Sequence, residues 1–153
     1  MILNFQKRIA YLLLSIFNIG YISSFPGTIA SFSSALFWYF FMPDNWIIQI
    51  IFIVSIVFIG IFAYQLVQND LNDKDPQYIV LDELVGMWIA LILVPYRFDY
   101  FLIAFLLFRY FDIIKPSFIY RSQEIEGSLS VFIDDIISGV FTFLIMYSLI
   151  HIA

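Results

Sequence analysis

The stretch WIIQIIFIVSIVFIGIFAYQLVQN, residues 46–69, contains no charged residue. A transmembrane helix needs about 20 predominantly apolar residues, so this stretch is long enough to cross a bilayer as a single helix. The whole chain has a similar character, because 63% of its 153 residues are hydrophobic and only 12% are charged. Ordinary soluble domains carry about 25% charged residues. The composition therefore predicts one all-α membrane domain over residues 1–153.

Turn residues divide the rest of the apolar sequence into further helical segments. Residues 9–22 are too short to span a bilayer and predict a short N-terminal interfacial or re-entrant helix. Thr28 is a candidate N-cap for the segment that follows it. Residues 116–133 form a polar connection before the last apolar run. The predicted spans are residues 29–43, 46–69, 78–96, 100–115 and 136–153. Two of these are short, so we predict a polytopic helical bundle with about four to five spanning helices.

The basic residues predict the orientation of this bundle. With the N-terminus in the cytoplasm, Arg97 lies outside and the other six basic residues lie on the cytoplasmic side, as the positive-inside rule favours. Those six are Lys7, Arg8, Lys74, Arg109, Lys115 and Arg121. The same orientation places residues 26–28, 82–83, 109–115 and 134–135 on the cytoplasmic face. We therefore expect these polar groups to form a single site.

Composition also excludes several classes of function. The net charge is −5 and the chain has no basic run, so a nucleic-acid partner is not expected. Cysteine is absent, which excludes thiolate metal sites and thiol nucleophiles. The single histidine, His151, is predicted on the opposite face from the acidic residues, so a histidine-dependent membrane phosphatase is excluded.

The stretch FRYFDIIKPSF, residues 108–118, carries three charges at helical spacing. Arg109, Asp112 and Lys115 recur every three residues and therefore share one side of a helix. Basic side chains near helix ends often reach the lipid headgroups without any function. That explanation does not account for Asp112, because ionisable residues within spans are costly and usually face the bundle interior. We expect a functional polar stripe here.

Two acidic pairs occur at the starts of two predicted spans. LDELVG, residues 81–86, contains Asp82 and Glu83, and IDDIISG, residues 133–139, contains Asp134 and Asp135. A helix N-terminus stabilises acids, which explains either pair alone. Four carboxylates on one face would repel one another unless a cation lay among them. Ligands that are all oxygen suit a hard ion, so we predict that these four acids bind Mg²⁺.

The stretch SSFPGTIAS, residues 23–31, offers backbone amides, Thr28 and Ser31 at the start of a helix. A helix N-terminus is a ready anion site, although an ordinary capped turn explains the same pattern. Together with Arg109 and Lys115, Thr28 and Ser31 are the candidate phosphate-binding residues. A cation, two basic side chains and helix amides are suited to a phosphoryl group. At a membrane surface, that group would belong to a phospholipid headgroup.

Three sequence blocks resemble the phosphatidylglycerophosphatase A family. They are FPGTIAS, IVLDELVGMWIA (residues 79–90) and FRYFDIIKP followed by IDDIISG. The resemblance implies a Mg²⁺-dependent enzyme of the bacterial inner membrane that converts phosphatidylglycerophosphate to phosphatidylglycerol and phosphate. It also implies catalytic roles for Asp82, Glu83, Asp112, Asp134 and Asp135. The chain departs from the family pattern at Ser23, at Ala30 and in the serine-containing loop after Gly127, but the charged set is intact.

Alternatives remain for both mechanism and function. Either a carboxylate attacks phosphorus, or the metal assists attack by water with an acid as the base. The alternative function is a small membrane cation transporter or channel, because intramembrane acids also mark ion paths. A structural membrane subunit without chemistry is a third possibility. The acids lie at one interface among basic residues, which favours the phosphatase.

Overall fold

A computed structural model describes residues 2–22, 24–73, 76–115 and 128–152, and this part of the chain contains six α-helices and no strand. The helices are α1 Ile2–Leu14, α2 Pro26–Phe41, α3 Trp46–Val67, α4 Leu81–Ala90, α5 Phe98–Ile114 and α6 Ser130–Ile152. Short 3₁₀ turns occupy Ile19–Tyr21 and Gln68–Asp70. The all-α prediction is confirmed for these residues.

Two segments of the described chain are long and apolar enough to cross a bilayer. They are Trp46–Asp70, which is α3 with its 3₁₀ turn, and Ser130–Ile152, which is α6. The expected four to five spans are therefore not confirmed. The predicted span at 78–96 differs most, because α4 has only 10 residues. At 1.5 Å per residue it is about 15 Å long, half of a hydrocarbon core of about 30 Å.

Several helix boundaries also differ from the prediction. The first helix begins at Ile2 rather than at residue 9 and ends at Leu14. Helix α2 begins at Pro26, so Thr28 lies in its first turn and is not the N-cap. The predicted connection at 116–133 is shorter, because α6 already begins at Ser130. Residues 116–127 of that connection lie outside the described part of the chain.

Helix α4 is the centre of the bundle and packs against α2, α3, α5 and α6. Most of its side chains are buried, including Asp82, Val85 and Trp88. The indole nitrogen of Trp88 donates a hydrogen bond of 3.2 Å to the backbone carbonyl of Ser34 in α2. Asp82, a polar residue of α4, is therefore buried in a helix that contacts four others.

The closest helix contact is the crossing of α4 and α6 at Gly86 and Gly139. A Cβ atom on Gly86 would lie 2.6 Å from the carbonyl oxygen of Asp135, and one on Gly139 would collide with the carbonyl of Gly86. Small residues allow such close backbone approach between helices in membranes. Asp82 and Asp135 each lie four residues, or about one turn, before the glycine of their helix. The crossing therefore brings these two acids together.

We expect Gly139→Ala to lower the free energy of unfolding by about 1–2 kcal/mol, because the new methyl group meets backbone that has no alternative rotamer. Alanine favours a helix over glycine by about 1 kcal/mol, and the clash outweighs that gain. The measurement is thermal unfolding in detergent. Val140→Ala is the control, since Val140 is exposed on the same helix. Equal stability of Gly139→Ala and Val140→Ala would contradict the close crossing.

Candidate active site

A cavity of about 420 Å³ opens where α2, α4 and α6 begin and α5 ends. It brings together eight of the nine predicted site residues. These are Thr28, Asp82, Glu83, Arg109, Asp112, Lys115, Asp134 and Asp135. Their convergence follows from the topology, because three helix starts and one helix end meet at this side of the bundle.

Three of the acids form a compact cluster. Each of Asp82, Glu83 and Asp135 offers a carboxylate oxygen, and these oxygens lie within 4.8 Å of one another. Oxygen Oε2 of Glu83 is buried and makes no hydrogen bond to the described residues. Water or an ion commonly satisfies a buried polar atom of this kind. The arrangement and the all-oxygen donor set fit a hard divalent cation such as Mg²⁺.

Arg109 is held in the cavity wall by two partners. Its guanidinium forms an ion pair with Asp112, one turn further along α5, and donates a hydrogen bond of 3.3 Å to Oγ of Ser31. Ser31 in turn donates to the carbonyl oxygen of Gly27 at 2.7 Å. Ser31 was predicted to bind phosphate, but it is fully buried and the structure places it behind Arg109 rather than in the cavity lining.

Lys115 forms the second ion pair of the cavity, with 2.5 Å between its Nζ atom and the carboxylate of Asp134. Partial burial alone would lower the pKa of Lys115, but the hydrogen bond and charge of Asp134 outweigh it and raise that pKa above its usual value. Asp134 was predicted as a metal ligand. It lies outside the three-acid cluster, and its carboxylate instead contacts a basic side chain.

Some lining residues were not selected from the sequence. Ser24 and Gln77 line the cavity, but a single neutral polar residue in a turn gives no spacing signal. Gly27 has a role that the turn motif did not reveal. A Cβ atom on Gly27 would collide with Oε1 of Glu83, so glycine at this position leaves room for the carboxylate.

A family model described as Phosphatidylglycerophosphatase A matches residues 12–150. The chain belongs to the phosphatidylglycerophosphatase A family. It is 31% identical over 128 residues to the Escherichia coli K12 protein of that name, and this match covers 82% of the present chain and 74% of the relative. The Haemophilus influenzae protein of the same name is 30% identical over 136 residues, covering 87% of this chain and 83% of the relative. The chain is therefore a lipid phosphatase.

Another relative carries a different name. A Bacteroides thetaiotaomicron protein, provisionally named phosphatidylinositol-3-phosphatase, is 32% identical over 138 residues. This match covers 85% of the present chain and 86% of the relative. No solved structure matches the chain. The names agree on a phosphatase that acts on a phospholipid and differ in the headgroup.

Proposed function

We propose that this protein hydrolyses the terminal phosphate monoester of phosphatidylglycerophosphate in a Mg²⁺-dependent reaction that yields phosphatidylglycerol and phosphate. The observation that carries the proposal is one cavity that combines a three-carboxylate cluster with two basic side chains. Family membership supports the lipid phosphate as the substrate. A cation channel would not require Arg109 and Lys115 among the acids.

In this proposal, the acids of the cavity divide into two groups. Asp82, Glu83 and Asp135 would hold Mg²⁺, which would neutralise negative charge and polarise a phosphate oxygen. Asp112 and Asp134 are not part of this metal site. They form ion pairs with the two basic side chains of the cavity and so hold those side chains in place. Charge-assisted hydrogen bonds of this kind are strong and directional.

Arg109 and Lys115 bind the phosphate oxygens in this proposal, with the hydroxyl of Thr28 beside them. Because both basic groups are already positioned by acids, little reorganisation is needed when negative charge develops on the phosphoryl group. Water attacks phosphorus, and a cavity carboxylate accepts its proton. The bond between phosphorus and the glycerol oxygen breaks, and that oxygen takes up a proton, so that phosphatidylglycerol leaves as the alcohol and phosphate remains. Attack by a carboxylate would instead leave an acyl-phosphate on the enzyme, which hydroxylamine would trap.

The direct test is phosphate release from phosphatidylglycerophosphate in detergent by the purified protein, with Mg²⁺ or with EDTA. We expect release only with Mg²⁺ and a loss of about a hundredfold or more in Asp82→Ala. Asp99→Ala is the matched control, because Asp99 is an exposed acid paired with Arg97. Absence of release from folded wild-type protein, or equal activity of the two variants, would contradict the proposal.

The relative named as a phosphoinositide phosphatase defines a second substrate to compare. The same assay should include phosphatidylinositol 3-phosphate, and we expect a higher kcat/KM for phosphatidylglycerophosphate. A preference for the phosphoinositide would keep the lipid phosphatase but replace the proposed substrate. We expect the hydrolysis of both substrates to depend equally on Asp82, because in this proposal the three-acid cluster acts on the phosphate and not on the alcohol.

We further propose a multi-pass protein of about four to five spans in the bacterial inner membrane, with the cavity on the cytoplasmic face. The distribution of Lys and Arg supports this orientation. The chain contains no cysteine, so single cysteines introduced by mutation can report the orientation of the protein in the membrane. We expect a maleimide that passes the outer membrane but not the inner membrane to label Asp44→Cys in intact cells and to leave Asn72→Cys unlabelled. Both residues are exposed, and the opposite labelling pattern would invert the topology.

A further inference from the structure

Two exposed apolar side chains stand at the rim of an otherwise largely polar cavity. Among the described residues that line it, Phe25 and Ile113 are large, apolar and exposed, at 73% and 67%. Phe25 immediately precedes α2, and Ile113 lies in the last turn of α5. The start of α2 and the end of α5 therefore give one side of the cavity an apolar rim.

The same two helices continue this apolar surface away from the cavity. Phe32 of α2 and Phe105 of α5 meet edge to face, with ring centroids 5.6 Å apart. Beyond them, a shallow crevice between α2 and α5 is lined by apolar side chains that include Leu36 and Leu102. We call this surface the α2–α5 seam. From Phe25 to Tyr39 it extends about 21 Å, enough to cross the hydrocarbon of one leaflet, which is about 15 Å thick.

We propose that the lipid substrate enters the cavity sideways, between Phe25 and Ile113, and that its acyl chains lie along the α2–α5 seam. This inference rests on the proposed function. A phospholipid phosphatase must admit a charged headgroup while the acyl chains stay out of water. An apolar rim beside polar walls meets both requirements. By contrast, the apolar groove between α1 and α3 is formed by helices that contribute none of the described residues of the cavity lining.

The adjacent residues Ile113 and Ile114 provide a matched test. Both are exposed isoleucines at the end of α5, but Ile114, at 55% exposure, does not line the cavity. The assay compares long-chain phosphatidylglycerophosphate in mixed micelles with its deacylated, water-soluble headgroup. We expect Ile113→Gln to raise KM for the lipid about fivefold or more relative to Ile114→Gln, because an amide replaces apolar contact with the acyl chain. The ratio of lipid to headgroup kcat/KM should fall accordingly.

A second experiment closes the rim directly. Because the chain has no cysteine, Phe25→Cys with Ile113→Cys can be joined by a reducible bismaleimide. Cross-linking should lower lipid turnover at least tenfold relative to the same protein before treatment, and reduction should restore it. The single-cysteine proteins treated with the same reagent should lose less turnover than the cross-linked protein. If lipid turnover persists after complete cross-linking, the substrate does not enter between these residues.

The other outcomes separate the two proposals. If the wild type releases phosphate from neither compound, the proposed function itself fails. If it hydrolyses the lipid and Ile113→Gln has the same KM as Ile114→Gln, the lateral entry is overturned while the phosphatase stands. If Ile113→Gln leaves KM unchanged but lowers the oligomeric mass measured by light scattering, the rim is an interface with a second copy of this chain, which also overturns the proposal.

Discussion

The structure depends on the contact between Gly86 of α4 and Gly139 of α6. Because neither glycine has a Cβ atom, the two backbones meet directly, and the turns that precede them are forced together. Those turns carry Asp82 and Asp135, so one contact both packs the bundle and assembles the acidic cluster. The packing therefore has an electrostatic cost, since buried like charges repel. A divalent cation would remove that cost, and its binding would then stabilise the crossing.

The other charged side chains of the cavity form ion pairs. Arg109 is positioned by Asp112 and Ser31, and Lys115 is positioned by Asp134. An acid with a basic partner is a poor candidate for a metal ligand, because its charge is already compensated. The contacts thus divide five carboxylates of similar appearance in the sequence into three that fit a cation and two that orient basic groups. Both sets surround the same 420 Å³ of space.

The sequence predicted that the charged residues would converge, because charges are rare and costly in so apolar a chain and the orientation rule places them on one face, and one cavity does bring them together. It predicted their partners less well, since Asp134 and Ser31 owe their positions to contacts between helices that spacing does not encode. The predicted span at 78–96 differs from the helix that the structure shows for a related reason. Hydropathy continues through residues 91–96, whereas the backbone leaves α4 after Ala90 and turns at Leu93, which has a φ of 60°.

The charged groups of the cavity are suited to a phosphate, and nothing in their arrangement distinguishes one alcohol from another. That explains how similar chains can carry the names of a phosphatidylglycerophosphatase and of a phosphoinositide phosphatase. Discrimination must come from groups that reach the alcohol. Ser24, Thr28 and Gln77 are the uncharged polar residues among the described lining, and they lie in or beside the turns that precede α2 and α4. Substrate choice can therefore change in these turns while the glycine crossing and the acids it assembles stay the same.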